Sequence, residues 1–303
     1  LEDTVVDPFV IETVGLRKTY DGVEALRGLN LQVPAGSIFG FLGRNGAGKT
    51  TAMKVLLGMA RPTSGDSRVL GLRPASPDEG VDIRRRAAFV SEDKSLYDAM
   101  NVDAMIRFTA SFFSRWRADL EQRYLRAFEL PRRAAVKTLS RGMRTKLALL
   151  LALCRGAELL ILDEPTSGLD PAVTEQVLQA LVAHVADEAM TVFFSSHQIA
   201  DVDQIADHVA IIDRGRTVAG GALDDLRRDY RRIQLVFEHA APEAVFSTPG
   251  ITSVRRDGRV LTLLSAAGAE QIVREARALA PSSLEIFPVS LKEIFLETVA
   301  VEE

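Results

Sequence analysis

The sequence predicts an α/β fold: a mixed sheet with an antiparallel β subdomain and a helical subdomain, followed by a small C-terminal α+β domain. Three observations carry that prediction. A glycine-rich stretch, Gly43-Arg44-Asn45-Gly46-Ala47-Gly48-Lys49-Thr50, stands between a short apolar run and a run apolar at helical spacing. Two unbroken apolar runs, Leu159-Leu160-Ile161-Leu162 and Val192-Phe193-Phe194, end in polar or charged residues. Buried parallel strands read as such runs, and open α/β sheets bind ligands beyond the carboxyl ends of their strands. Finally, Arg227-Arg228-Asp229-Tyr230-Arg231-Arg232 marks a shift in composition, after which shorter strands and helices alternate.

Residues 9–31 are apolar in short pieces around Asp21-Gly22, a hairpin signal, and predict an antiparallel sheet. Tyr20 ends one of its strands, either as a half-buried strand residue or as a ring for stacking on a base. The run Ile38-Phe39-Gly40-Phe41-Leu42 predicts a buried strand, and Thr51-Ala52-Met53-Lys54-Val55-Leu56-Leu57 a helix. Between them the glycine stretch reads G-x-x-x-x-G-K-[ST], the phosphate-binding loop pattern, in the strand–loop–helix context that pattern requires. Glycines let successive backbone N–H groups turn toward a phosphate chain, and the helix adds its N-terminal amides. Lys49 supplies a mobile charge for the outer phosphates. Thr50 supplies a hydroxyl for Mg²⁺, a hard cation that keeps most of its waters.

Residues 67–70 predict a short strand, 74–80 a surface loop, and 87–90 a buried strand flanked by the solvated run Arg84-Arg85-Arg86. Residues 98–153 predict a helical subdomain. Val102, Met105, Ile106, Thr109, Phe112, Phe113 and Trp116 fall near one helical face. A second helix spans 120–128 and stops before Pro131; a third starts near Ser140. Asp170-Pro171-Ala172 is a helix start, a capping acid followed by proline. Residues 209–212 and 217–219 form a closing hairpin. Beyond the basic run the order is strand 233–237, helix 242–246, strands 251–254 and 260–264, helix 269–279, strand 284–289 and helix 291–299.

Composition narrows the function. The chain has 303 residues, is 47% hydrophobic and carries a net charge of −4, which argues against a nucleic-acid partner held by bulk charge. Its one cysteine, Cys154, excludes an internal disulfide and points to a reducing compartment. No apolar run reaches the length of a membrane span, and the four histidines have no metal-ligand spacing. Asp163 and Glu164 follow a strand run directly, placing one acid for a Mg²⁺ shell and a second to polarise water. His197 ends the next such run, either as a strand-end histidine hydrogen-bonded in place or as a group that orients that water or senses a terminal phosphate.

Together these residues resemble the nucleotide-binding subunit of the ATP-binding cassette (ABC) family over about residues 9–226. Tyr20 matches the base-stacking aromatic, and Gly43 to Thr50 with Thr51 the Walker A loop. Leu139-Ser140-Arg141-Gly142-Met143 stands where the signature L-S-G-G-Q belongs. The 159–164 stretch matches Walker B with its catalytic glutamate, Ser167-Gly168-Leu169-Asp170 the D-loop, and His197 the switch histidine. The resemblance implies an ATP-binding domain at 8–228 and a C-terminal accessory or dimerisation domain at 233–303.

It implies catalytic roles for Glu164, His197 and Lys49. ATP contacts would come from Tyr20, Gly43, Arg44, Asn45, Gly46, Ala47, Gly48, Lys49, Thr50 and Thr51, and across a dimer from Ser140, Arg141, Gly142 and Asp170. Thr50, Asp163 and Glu92 would face Mg²⁺. Glu92 stands where the family carries the Q-loop glutamine; Arg141 and Met143 replace a glycine and a glutamine of the signature. The family works as a dimer, here expected to be a homodimer, on a separate transmembrane permease at the cytoplasmic face of the cell membrane. The segment Ser290-Leu291-Lys292-Glu293-Ile294-Phe295-Leu296 resembles the ending of export-type subunits for drugs, antibiotics or lipid-linked compounds. Two other readings stand beside this one: a soluble ABC ATPase acting on ribosomes or DNA, and an ATP-binding regulatory module with little turnover.

Overall fold

The computed structural model describes residues 8–188, 190–243 and 246–300. The described chain divides between Thr217 and Val218 into two compact units, so Arg227 to Arg232 belongs wholly to the second.

In the first unit, β1 (Phe9–Tyr20) and β2 (Val23–Pro34) form a hairpin around Asp21 and Gly22. Both turn residues have positive φ, 46° and 84°, as a two-residue turn matching strand twist requires. After β3 (Ile38–Leu42), strand β4 (Ser64–Val69) pairs with β1 and completes a three-stranded antiparallel sheet. Its inward residues, among them Ile11, Leu16, Leu26, Leu29, Leu31 and Val33, meet Phe39 and Phe41 of β3 and Ala52, Met53 and Leu56 of α1 (Lys49–Leu56). Each fully buried leucine here removes apolar area worth about 1.5–3 kcal/mol.

Residues 77–86 form a helix, α2 (Pro77–Arg86), where a surface loop was expected over 74–80. Its signals are local: proline in the first turn, Asp78 and Glu79 at the positive end, three arginines at the negative end. The arginines are not merely a solvated flank. Arg86 pairs with Glu158 at 2.7 Å and Arg84 donates to the Leu57 carbonyl at 3.0 Å.

Strands β5 (Ala87–Val90), β6 (Leu159–Leu162), β7 (Thr191–Ser196), β8 (His208–Asp213) and β9 (Arg216–Ala222) join β3 in a six-stranded sheet of order β5-β6-β7-β3-β8-β9. The pairs β5–β6, β6–β7, β7–β3 and β3–β8 are parallel. Every residue of β3, β6 and β7 is buried, which explains the unbroken apolar runs. Parallel pairing brings the carboxyl ends of these three strands to one edge.

Four further helices of this unit are α3 (Val102–Ala110), α4 (Ala118–Ala127), α5 (Arg141–Leu153) and α6 (Pro171–Glu188). Helix α3 ends at Ala110, so Phe112, Phe113 and Trp116 lie on the turns beyond it rather than along its face. The short α7 (Ile199–Ile205) follows β7.

In the second unit, α8 (Leu223–Asp229) precedes an antiparallel sheet of order β11-β12-β10-β13, built from β10 (Arg231–Val236), β11 (Ile251–Asp257), β12 (Val260–Ser265) and β13 (Ser283–Pro288). Ile233, Leu235, Leu261 and Leu263 pack with Ile272 and Ala276 of α9 (Ala269–Ala278). Of the helix expected at 242–246, residues 244 and 245 lie outside the described residues. The closing segment begins α10 (Leu291–Ala300) through a capping box. The Ser290 hydroxyl accepts from the Glu293 N–H at 3.3 Å, and the Glu293 carboxylate accepts from the Ser290 N–H at 3.0 Å. The serine and the acid three residues on thus have a structural reason of their own.

Candidate functional site

The glycine loop leaves β3 at the shared carboxyl edge, where the Gly43 N–H donates to the Ser196 carbonyl of β7 at 3.1 Å. A Cβ on Gly43 would stand 2.6 Å from the Ile212 carbonyl oxygen, and one on Gly48 (φ 107°) 2.7 Å from that of Ala25. Close backbone approach therefore demands glycine at both positions, and at Gly48 the left-handed conformation demands it as well. Gly48 caps α1 without a side-chain bond, so no side chain competes for the first-turn amides.

Lys49 is buried: its ammonium donates to the Gly43 carbonyl at 2.7 Å and the Arg44 carbonyl at 3.3 Å, and pairs ionically with Glu164 Oε1 at 3.0 Å, a buried oxygen that accepts no hydrogen bond among the described residues. Glu164 Oε2 lies 2.7 Å from His197 Nδ1. The carboxylate can only accept, which puts a proton on that nitrogen. Asp163 accepts from the Thr50 hydroxyl at 2.8 Å and from the Ser195 hydroxyl at 2.7 Å, and Ser195 Oγ in turn accepts the Glu164 N–H at 3.0 Å. Arg44, Asn45, Gly46, Gly48, Lys49, Thr50, Thr51, Glu92 and Glu164 line one cleft of about 310 Å³ together with Ala25. Ala47 is buried behind it, its carbonyl accepting from the Gly215 N–H at 2.9 Å.

Three supports were not legible in the sequence. Ser195 joins the two acids, as above. The Thr166 hydroxyl donates to Asp201 of α7 in a short bond; burial pushes the Asp201 carboxyl above its usual range, and Thr166 partly offsets that. Lys94 is 5% exposed and donates to the carbonyls of Glu92 at 3.1 Å and Glu164 at 3.3 Å. Burial, then the Arg141 charge, lowers its pKa, while Glu92, Asp163 and Glu164 oppose the fall.

Tyr20, Ser140, Arg141, Gly142 and Asp170 are not part of this cleft's lining. Tyr20 is 42% exposed with the Lys18 ammonium 4.5 Å from its ring centre. Ser140 caps α5, its side chain accepting from the Met143 N–H at 3.2 Å. Asp170 accepts from the Val173 N–H at 3.0 Å at the start of α6. Arg141 lies over Gly168, where a Cβ would come 2.3 Å from its Nη1.

With that geometry in view, the comparisons are specific. A family described as "ABC transporter" matches residues 26–167. The chain is 32% identical to the daunorubicin resistance ATP-binding protein DrrA3 of Streptomyces coeruleorubidus over 297 residues, 94% of this chain and 92% of that one. The chain belongs to the ABC transporter family. Over 223 residues it is 38% identical to the daunorubicin/doxorubicin resistance ATP-binding protein DrrA of Streptomyces peucetius, covering 72% of this chain and 66% of that one. A solved structure titled as the ATP binding subunit of an ABC transporter superposes with a TM-score of 0.65 at 30% identity, over 72% of this chain and 92% of the other. This ABC subunit binds ATP and hydrolyses it in coupling to transport, which sets aside the reading as a ribosome- or DNA-acting ATPase. Among the described residues of this ABC subunit, no helix is long and apolar enough to cross a membrane.

Proposed function

We propose that this chain is the motor of an export system: two ATP-binding subunits close around ATP and drive a separate membrane permease from the cytoplasmic face of the membrane. The observation that carries the reading is the convergence of the 43–50 loop, Asp163, Glu164 and His197 around Lys49. In this reading Glu164 is the general base for the attacking water. His197 holds its carboxylate, and the loop amides with Lys49 take the phosphates.

The residues present fit a nucleotide and its metal. The cradle admits no Cβ at Gly43 or Gly48 without a clash. The oxygens of Thr50, Asp163 and Glu92 suit a hard cation. Among the described residues no group of three or more His, Cys, Asp or Glu could hold a metal alone, so Mg²⁺ would share its shell with phosphate oxygens and water. There it would neutralise charge on the outer phosphates. Glu92 adds a carboxylate to that wall. Hydrolysis by the parent protein is therefore expected to gain more from added Mg²⁺ than hydrolysis by Glu92→Gln, because the carboxylate repels the phosphates until the cation screens it. Matching Mg²⁺ titrations would remove Glu92 from the metal's surroundings.

Ser140, Arg141, Gly142 and Asp170 stand outside the cleft, which supports a second subunit presenting these residues to the ATP. Charge developing on the transferred phosphoryl needs donors on several sides. A homodimer is the simplest such arrangement. Exposed Val254, Ile286 and Leu296 support an accessory, dimerising role for the second unit.

For the permease, the exposed row Tyr97–Phe108–Phe112, with ring centres 5.4 and 5.0 Å apart, is the best surface. It borders a cleft of about 250 Å³ between the 89–96 segment and α3 and α5. Phe113 and Trp116 are less available, being held by Arg155 and Glu121. The relatives named for daunorubicin resistance, and the ending of the chain, support export of drug-like or lipid-linked compounds. Purification from native cells in mild detergent is expected to bring down one polytopic membrane protein in stoichiometric amount, and Phe112→Asp to lose it. Recovery of ribosomal or chromosomal material instead would overturn the transport reading.

A further inference from the structure

Lys94 is a cation that the glycine loop, the acids and the histidine do not account for. It sits in the turn after β5, where its N–H donates to the Ser91 carbonyl at 3.1 Å and its φ is 45°. That is a left-handed conformation in a residue other than glycine, which persists only when its surroundings hold it. Its side chain forms part of the cleft wall shared with Phe89, Met105, Thr109 and Phe113. Its ammonium emerges from that wall at the backbone of Glu164.

Glu164 is itself left-handed, with φ 48°. Its carbonyl accepts from Lys94 and from the Ser167 N–H at 3.3 Å. The peptide carrying that carbonyl continues into Pro165, whose nitrogen has no hydrogen to give. The pose of the Glu164 side chain is thus set from three directions: Ser195 on its N–H, Lys94 and Ser167 on its carbonyl, and Lys49 with His197 on its carboxylate. The Lys94 bonds are also the ones that reach the loop carrying Glu92, through the Glu92 carbonyl.

Charge gives a second, independent reason. Glu92, Asp163 and Glu164 put three carboxylates within electrostatic reach of Lys94, against one other cation, Arg141. Phosphates entering the cleft would add to that negative charge. A buried cation two residues beyond Glu92 offsets it without occupying the cleft, since Lys94 does not line the space bounded by Lys49, Thr50 and Glu92.

We propose that Lys94 is a positioning residue for ATP hydrolysis: its buried ammonium fixes the Glu164 backbone and offsets the Glu92 carboxylate, so that the 91–97 loop sets the pose of Glu164. This rests on the reading of Glu164 as general base.

The test is steady-state hydrolysis and equilibrium ATP binding on the purified full chain. Lys94→Met removes charge and donors, and Lys94→Gln keeps a donor without the charge. Both are expected to lower kcat by about tenfold or more, as small misplacement of a catalytic group does, with the ATP dissociation constant within about threefold of the parent. Adding Glu92→Gln to Lys94→Met is expected to recover about threefold or more of the lost rate. Parental kcat in both single variants overturns the proposal. So does a fall in ATP affinity that accounts for the whole loss, or a failure of both variants to fold as read by Trp116 fluorescence, which would make Lys94 a stability residue. The same loss with and without Glu92→Gln overturns the charge offset. Glu164→Gln run in parallel separates the two readings: if it hydrolyses ATP at the parental rate, the general-base assignment fails whatever Lys94 does.

Discussion

Glu164→Gln is expected to lower the hydrolysis rate by about 10²–10⁴-fold, the range for a positioned general base, while ATP binding survives or tightens. The two halves of this result have separate causes. The amide is nearly isosteric, so it keeps a hydrogen-bonding atom toward His197 Nδ1, and the backbone bond from Glu164 N–H to Ser195 does not involve the side chain. What it loses is the ability to take a proton from water. Removing that step raises the barrier by about 3–5 kcal/mol, at 1.36 kcal/mol per tenfold.

Binding moves the other way. Glu164 Oε1 and a terminal phosphate want the same ammonium, because Lys49 is held by the carboxylate at 3.0 Å. Glutamine carries no charge to compete with. Single-turnover hydrolysis and equilibrium binding, measured on the same preparation, separate the two effects. Hydrolysis at the parental rate would take Glu164 out of the catalytic role, and a loss of binding larger than the loss of rate would make it a structural acid.

The features legible in the sequence share one property: each is set by residues close together along the chain. The loop pattern, the acids ending β6 and the histidine after β7 follow from a strand and what comes straight after it. Helix α2 was equally local; a proline at its first turn and opposite charges at its two ends marked it, and polarity alone misled. The helical pattern carried past Ala110 because Phe112, Phe113 and Trp116 continue its spacing. Neither glycine nor proline marks the stop, and Ser111 ends the helix with ordinary right-handed geometry. What no local pattern contained were contacts between distant segments. Ser195 is 32 residues from Asp163, Lys94 is 70 from Glu164, and Thr166 is 35 from Asp201. A lysine in a polar turn reads as solvated until the fold shows it buried. Arg141 over Gly168 is of the same kind: family likeness marks it as a departure, and only the structure shows what the guanidinium rests on.

Lys49→Ala is expected to abolish measurable ATP hydrolysis, weaken ATP binding by about tenfold or more, as loss of a charge-assisted phosphate contact does, and destabilise the first unit. Loss of the phosphate contact explains the first two effects; the third follows from Glu164. Both partners of the ion pair have side chains 6% exposed. Removing the lysine leaves a carboxylate in the interior with His197 as its only side-chain partner among the described residues. Breaking a buried pair from one side costs about 3–5 kcal/mol. Removing the orphaned charge as well reverses that term, so Lys49→Ala with Glu164→Gln is expected to regain much of the lost stability while remaining without activity. The protein's one tryptophan, Trp116, lies in the first unit with its Nε1–H donating to Glu121 at 3.0 Å. Its fluorescence through a denaturant titration therefore reports on the unit that holds the pair. If Lys49→Ala unfolds at the parental midpoint, the Lys49–Glu164 pair contributes nothing to the folded protein. The expected tightening of ATP binding in Glu164→Gln then loses its cause as well, because both results depend on the same ammonium being held by the same carboxylate.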